Sequence, residues 1–388
     1  MHVGLNLVFL VPGETGGMEV YARELIPALL AAGDGDVRFT AFVSREAAAT
    51  DGPWREMPSV TVPVRSANRA DWVRGEQALL PRLAAAHRVD LVHSLATTAP
   101  GWGRFRRVTT IHDLHYRTIP EAHFGVRALG MRVLVPLSAR RSHRVIADSQ
   151  ATRDDVVEFL RVPPARVDVV HLGLGRRARA EPEPFSAGGR RVLMTAAAKR
   201  PHKNLAALLD ALALLPAGGR PLLVLPGYPT PHEEELKARA AALGIEGDVR
   251  FLGWVGDGQM EGLYAAADAF VFPSLSEGFG LPVLEAMARG VPVACSNRPP
   301  LTEVAGDAAL LFDPTSPRAI AGALAALLGD DALRARLRTA GPERAARFTW
   351  AATAQATLRS YRRTMGRITG RPTGSSLSLP HLVRQRKT

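Results

Sequence analysis

Thirteen short apolar, β-rich runs recur along the chain, and helical patterns alternate with them. In the first half they are Val3–Val11, Val37–Val43, Val60–Val64, Asp90–His93, Val108–His112, Arg144–Asp148 and Val167–His171. In the second half they are Arg191–Ala197, Pro221–Pro226, Val249–Gly253, Ala269–Pro273, Pro292–Cys295 and Ala309–Phe312. Continuous apolar runs make strands buried on both faces, and their alternation with helices makes a parallel sheet covered on each side. Between the two sets lies Gly173–Gly189, rich in Arg, Pro, Glu and Gly, which reads as a linker. The pattern therefore predicts an α/β chain of two doubly wound, Rossmann-like domains facing each other across a cleft. Ligands in such sheets bind beyond the carboxyl ends of the strands, so the loops that follow the runs are the places to look for chemistry. The helical segments Ser316–Leu328, Asp331–Ala340 and Trp350–Met365 carry no catalytic spacing and read as cover for the sheets.

Bulk properties narrow the partners. The 388 residues are enough for two cores. No apolar run reaches the ~18 residues a membrane-spanning helix needs. Val3–Val11 reads as a first buried strand and not as a signal peptide, because it lacks a basic flank and a small-residue cleavage site. Cys295 is the only cysteine, which excludes an internal disulfide and a cysteine metal cage and fits a cytoplasmic setting. A formal net charge of +12 points to nucleic acid, an anionic membrane face or anionic substrates. Nucleic acid is the poorest of these: there is no zinc-finger spacing or ribonucleoprotein motif, and aromatic residues are few. The stretch from Thr373 to Thr388 is basic and unpatterned and reads as disordered.

One loop stands out. The run Ala269–Pro273 leads through Ser276-Glu277-Gly278-Phe279-Gly280-Leu281-Pro282 into a helical pattern that ends at Gly290. Pro282 suits a first helical turn and Gly290 a helix end. The amides of Phe279, Gly280 and Leu281 would then face out of a helix N-terminus, where an anion binds well. Two carboxylates, Glu277 in the loop and Glu285 one turn into the helix, are a poor addition to an anion site alone. They make sense if they grip hydroxyl groups attached to that anion, as in a nucleotide-sugar.

Other loops offer partners for such a ligand. Pro12-Gly13-Glu14-Thr15-Gly16-Gly17-Met18-Glu19 follows the first run; it is either an ordinary turn or a place where backbone approaches a ligand closely. His112-Asp113 ends a strand at the cleft edge, where His112 is either a satisfied edge histidine or a contact to a sugar hydroxyl or departing oxygen. Together with His115 it also offers a weak metal cluster. Ser149 and Thr152 read as helix caps, and Glu303 as a residue that caps or pairs within its own loop. Lys199, Arg200 and Lys203 lie in the first loop of the second domain, where an ammonium would neutralise a diphosphate. The segment Arg127–Arg144 sets Arg127, Arg132, Arg140, Arg141 and Arg144 among apolar residues, and reads either as a surface helix or as a dock for an anionic membrane.

Taken together, these pieces resemble the retaining family 4 glycosyltransferases of GT-B fold. The resemblance rests on the Glu277-to-Glu285 motif, on Gly16-Gly17-Met18-Glu19, His112-Asp113 and Val145–Thr152, and on Pro201-His202-Lys203-Asn204-Leu205 and Ser296–Pro314, in the family's order. It covers about residues 3–365. The resemblance implies a first domain over 1–175, a linker over 176–190 and a nucleotide-sugar domain over 191–349, with a helix near 350–367 crossing back. It implies that Glu277, His112 and Lys203 carry the chemistry. Gly16, Gly17, Lys203, Phe279, Gly280, Leu281 and Glu285 would bind the nucleotide-sugar, with Glu285 on the ribose and Lys203 on the diphosphate. It implies no cofactor and no metal, a glycan, lipid-linked or small-molecule acceptor, and a mannose- or rhamnose-type donor. One departure is that Ala197 stands where many members have an Arg, which leaves Lys199 or Arg200 as the second cation. The alternatives are a GT-B epimerase or hydrolase and a non-catalytic nucleotide-sugar-binding protein.

Overall fold

The computed structural model of the chain describes residues 1–33, 35–119, 126–175 and 180–366. The expected basic tail and part of the expected linker lie outside these residues. Each of the apolar runs carries a strand: β1 (His2–Leu7), β2 (Arg38–Val43), β3 (Ser59–Thr61), β4 (Leu91–Ser94), β5 (Arg106–Ile111), β6 (Arg144–Ala147) and β7 (Val167–Val169), then β8 (Val192–Met194), β9 (Leu222–Leu225), β10 (Val249–Phe251), β11 (Ala269–Phe272), β12 (Val293–Ser296) and β13 (Leu310–Phe312). Most strands stop short of their apolar run. β1 ends at Leu7 because the Asn6 side-chain oxygen takes the Val8 amide at 3.1 Å and Leu10 N–H turns back to the Leu7 carbonyl at 3.1 Å.

The strands form two sheets, ordered β3-β2-β1-β4-β5-β6-β7 and β10-β9-β8-β11-β12-β13, and every pairing is parallel. These are two doubly wound α/β sheets. Strand order reverses between β1 and β4 in the first and between β8 and β11 in the second, so a crevice opens beyond the carboxyl ends of those four strands. β4, β8, β9, β11 and β12 are buried along their whole length, which is why they read as continuous apolar runs without alternation.

The helix Trp350–Thr364 packs on the first sheet, against β5, β6 and the helix Gly17–Ala32. Thr349 caps it, accepting the Ala352 amide at 3.2 Å. Trp350, Ala354, Leu358 and Tyr361 recur at helical spacing and are buried, each large side chain contributing about 2 kcal/mol. Its polar anchors Ser360 and Tyr361 are buried too, whereas Arg363 is exposed. The Tyr361 hydroxyl pairs with His93 Nδ1 at 2.6 Å, and burial pushes the His93 ring down to about 3. Asp168 accepts Arg144 Nε at 2.6 Å, Ser360 Oγ at 2.7 Å and Arg363 Nη1 at 2.8 Å.

One helix departs from expectation. The segment starting at Asp331 runs to Ala345, through Gly341 and Pro342, instead of ending at Ala340. A Cβ added at Gly341 would lie 3.1 Å from the Met287 carbonyl oxygen, so the glycine marks close helix packing and not a stop. Tertiary contact with the helix Leu281–Ala288 overrides the local signal.

Candidate active site at the interdomain cleft

On the second-domain side, the loop after β8 ends in a single tight turn, Pro201–Lys203. Asn204 then takes a left-handed conformation (φ 58°), and its side-chain amide donates to the carbonyls of Pro273 at 3.1 Å and Pro314 at 2.8 Å. Asn204 thus ties together the loops after β8, β11 and β13. The result sets Lys203 Nζ 2.6 Å from Glu277 Oε1, with both side chains largely buried. At Gly280 the chain turns with φ 118°, and the helix Leu281–Ala288 follows with Pro282 in its first turn. The first amides of a helix have no partner in its own ladder, so they remain open to an anion. Phe279 is buried, with its ring centroid 5.9 Å from both His171 and Phe348. Glu285 is half-buried one turn on and accepts the Tyr264 hydroxyl at 3.3 Å.

Lys199 does not supply a second cation beside Lys203. It is fully buried, and its ammonium donates to the carbonyls of Leu225 at 2.7 Å, Gly227 at 2.7 Å and Leu252 at 2.8 Å. Burial holds it down at about 8, against a partial lift from Glu233. Its position locks together the loops after β9 and β10, which carry the exposed rings of Tyr228 and Trp254, 6.5 Å apart. Arg200 is exposed.

On the first-domain side, His112 sits just past β5. Its Nδ1 lies 2.6 Å from Asp148 Oδ2 and its Nε2 lies 2.9 Å from the Leu95 carbonyl. Both partners are acceptors, so both ring nitrogens carry hydrogen and the ring is an imidazolium. Burial would lower its affinity for the second proton, but the Asp148 charge and hydrogen bond, with the Leu95 carbonyl, outweigh burial and raise it to about 9. The other Asp148 oxygen, Oδ1, is buried without a partner. His115 Nδ1 lies 3.4 Å from Asp113. Among the described residues no group of three or more His, Cys, Asp or Glu side chains is arranged to hold a metal ion. Gly16 (φ 64°) and Gly17 open the helix Gly17–Ala32, with open space where side chains would stand.

The two sides meet. The His112 carbonyl oxygen lies where a Cβ on Gly278 would come within 2.3 Å, so His112 abuts the residue after Glu277. Ser149 caps its helix as expected, accepting the Thr152 amide at 3.1 Å, but its hydroxyl also lies 2.9 Å from the Gly278 carbonyl. The His115 and His202 rings face each other across the cleft at 5.4 Å. Glu303 pairs outside its own loop, with Gln150 and His171. Sequence reading therefore missed Asp148, Glu303 and the second role of Ser149, because each partner lies far away along the chain. It also missed Glu76, fully buried at the first-domain crevice, which accepts Asn6 at 3.0 Å and Thr98 at 3.1 Å and which burial raises to about 7.

Two doubly wound sheets meeting across such a cleft, with the helix Trp350–Thr364 packed back on the first sheet, define the GT-B class of glycosyltransferase. Comparison with known proteins agrees. The description "Glycosyltransferase Family 4" matches residues 15–174, and "Glycosyl transferases group 1" matches residues 177–344. The chain is 34% identical over 267 residues to O-antigen chain mannosyltransferase B of Escherichia coli, covering 66% of this chain and 70% of that one. It is 30% identical over 395 residues to D-inositol 3-phosphate glycosyltransferase of Frankia alni, covering 90% and 95%. Among solved structures, sucrose-phosphate synthase of Thermosynechococcus elongatus superposes with a TM-score of 0.74 at 20% identity, over 94% of this chain and 99% of that one. Anabaena HepE in complex with UDP and glucose superposes with a TM-score of 0.68 at 21% identity, over 94% and 100%. The chain belongs to glycosyltransferase family 4, and it is an enzyme that moves a sugar from a nucleotide-sugar.

Proposed function

We propose that the enzyme transfers a hexose or deoxyhexose, of mannose or rhamnose type, to a glycan, lipid-linked or small-molecule acceptor, with retention at the anomeric carbon and without a metal. The observation that carries the reading is the 2.6 Å pair of Lys203 and Glu277 beside the N-terminus of the helix Leu281–Ala288. A diphosphate arriving at that helix end takes Lys203 as its counter-ion and frees Glu277 for the hydroxyls of the transferred sugar. Glu285, eight residues on, holds the ribose. Gly16 and Gly17 let the first-domain loop approach the phosphate and acceptor. His112 acts by its charge, since both its ring nitrogens are already committed. Among the described residues we find no pair of carboxylates ready for double displacement, so a front-face route suits the site, with the leaving phosphate taking the acceptor proton. The mannose lean rests on the Escherichia coli relative.

The test is a panel of nucleotide-sugars, with the anomeric configuration of the product read by NMR and with EDTA present and absent. Lys203→Ala and Glu277→Ala should each cut kcat by about a hundred-fold or more while the fold persists. Near-normal turnover in both would sink the assignment.

A lipid-linked acceptor fits one surface. The helix Val126–Arg141 exposes Val133 and Leu137, one turn apart, and Leu137 lies beside Gly101, next to the exposed Trp102. Arg132, Arg140 and Arg141 are exposed on the same helix, whereas Arg144 is spent on Asp168. We propose peripheral contact there with an anionic membrane. No helix among the described residues is long and apolar enough to cross a membrane. Sedimentation with phosphatidylglycerol vesicles that Trp102→Ser, Val133→Ser and Leu137→Ser together leave unchanged would remove this idea.

A further inference from the structure

Glu303, in the helix Leu301–Ala305 beyond β12, makes its side-chain contacts outside its own loop. Its two carboxylate oxygens accept the Gln150 backbone N–H at 2.9 and 3.1 Å, and one of them lies 2.6 Å from His171 Nε2. Gln150 opens the helix Gln150–Leu160 after β6, so the carboxylate sits where a helix favours negative charge. His171 follows β7. Both partners therefore stand on the first-domain side, whereas the backbone of Glu303 is held from the second: Arg344 donates to the carbonyls of Glu303 at 2.5 Å and Val304 at 2.9 Å. The same helix end grips the donor loop. Ser149 Oγ lies 2.9 Å from the Gly278 carbonyl, and Thr152 Oγ1 lies 3.2 Å from the carbonyls of both Gly278 and His112. The first turn of Gln150–Leu160 is thus clasped by Glu303 on one side and by Gly278 on the other.

We infer that Glu303 is a positioning residue for transfer. Docked on the first turn of Gln150–Leu160, it sets how the two domains seat. Through Ser149 and Thr152 it then sets the register of Gly278 against His112, so that Glu277 and His112 address one donor sugar. The inference rests on the proposed roles of Glu277 and His112. The side chains of Glu303 and His171 are 24% and 43% exposed, so water can replace the contact when the cleft opens to admit a donor.

The experiment uses the full chain with Glu303→Ala and Glu303→Gln, with UDP and GDP as separate probes. Nucleotide affinity is measured by calorimetry, kcat and KM with whichever donor the unmodified enzyme accepts, and the radius of gyration with nucleotide bound by small-angle scattering. For Glu303→Ala, nucleotide Kd should stay within about two-fold and kcat should fall about ten-fold or more, with a larger radius of gyration in the bound state. Glu303→Gln keeps an acceptor for the Gln150 amide and should fall between. Gly278→Ala provides an independent arm. Its backbone needs no left-handed conformation, but its methyl would meet the His112 carbonyl oxygen at 2.3 Å, so it should give the same split between binding and turnover. A kcat for Glu303→Ala within about two-fold of normal overturns the inference. So does an unchanged radius of gyration, or nucleotide binding that falls in step with kcat. If the unmodified enzyme moves no sugar from any donor, the proposed function fails, and scattering and calorimetry still decide the seating role.

Discussion

Replacing Asp148 with asparagine tests the charge state on which the first-domain half of the site depends. His112 has an ordinary value of 6.5 and is held at about 9 in the folded chain. That interval is worth about 3 kcal/mol. Because the folded value is raised, the stability is fully present below about pH 6 and is lost as pH climbs through about 9. By the same linkage it amounts to about 2 kcal/mol at pH 7.5 and about 0.4 kcal/mol at pH 9. Asp148→Asn keeps the shape and an acceptor for Nδ1–H but removes the charge. Burial then wins and the ring becomes neutral, with Nε2–H kept on the Leu95 carbonyl and the bare Nδ1 accepting from the NH2 group of the new amide. Urea unfolding of both proteins at closely spaced pH values should give a stability difference that shrinks steadily from about pH 6.5 to about pH 9. The kcat/KM profile should move in parallel: a basic limb near pH 9 in the unmodified enzyme, shifted below neutrality in the variant. A stability difference that stays level across this range would refute the reasoning.

Other substitutions probe the frame. Lys199→Met takes the ammonium donor from the carbonyls of Leu225, Gly227 and Leu252, of which Leu225 keeps the Leu252 amide, and should cost about 2 kcal/mol, read by thermal unfolding; with the loops after β9 and β10 released, nucleotide affinity should fall as well. Asp168→Asn should cost about 2–4 kcal/mol at neutral pH, because it strips the charge from a buried pair with Arg144. Burial works against the Asp168 carboxylate, but hydrogen bonds from Arg144 and Ser360 hold it below its ordinary 3.8. The loss should therefore fade as pH falls through that range in acid unfolding. Gly227→Ala forces a side chain onto a φ of 130° and within 2.3 Å of the Ala197 carbonyl oxygen, and should lower the melting temperature by several degrees.

The strands were legible because a parallel strand buried on both faces leaves a plain mark in sequence, as Ala269-Phe270-Val271-Phe272 does. The loop of Glu277 and the helix behind it were legible from two neighbouring signals, a helix start and a carboxylate spacing, but the ion pair of Glu277 with Lys203, 74 residues upstream, was not. Contacts that join distant loops left no such mark. Lys199 looked like one more cation in a phosphate loop, yet its acceptors arrive from 26, 28 and 53 residues away. Asp148 read as the end of a strand, and its partner lies 36 residues upstream. Glu303 reaches an amide 153 residues distant, which no local pattern could reveal. Gly341-Pro342 looked like a helix stop because the surface that holds that helix together, Met287, comes from elsewhere in the chain.

The helix Trp350–Thr364 also bears on how the protein is made. The first sheet is synthesised early, but His93 waits for Tyr361, and Asp168 waits for Ser360 and Arg363. A ribosome adding residues from one end must therefore build the whole second sheet before the first can close its core. Until then the emerging chain carries an uncovered apolar face and a buried-type carboxylate short of two partners. Folding intermediates should be open to holding chaperones over this interval, and a nonsense codon anywhere before Trp350 should yield an aggregating fragment and not a working half-enzyme.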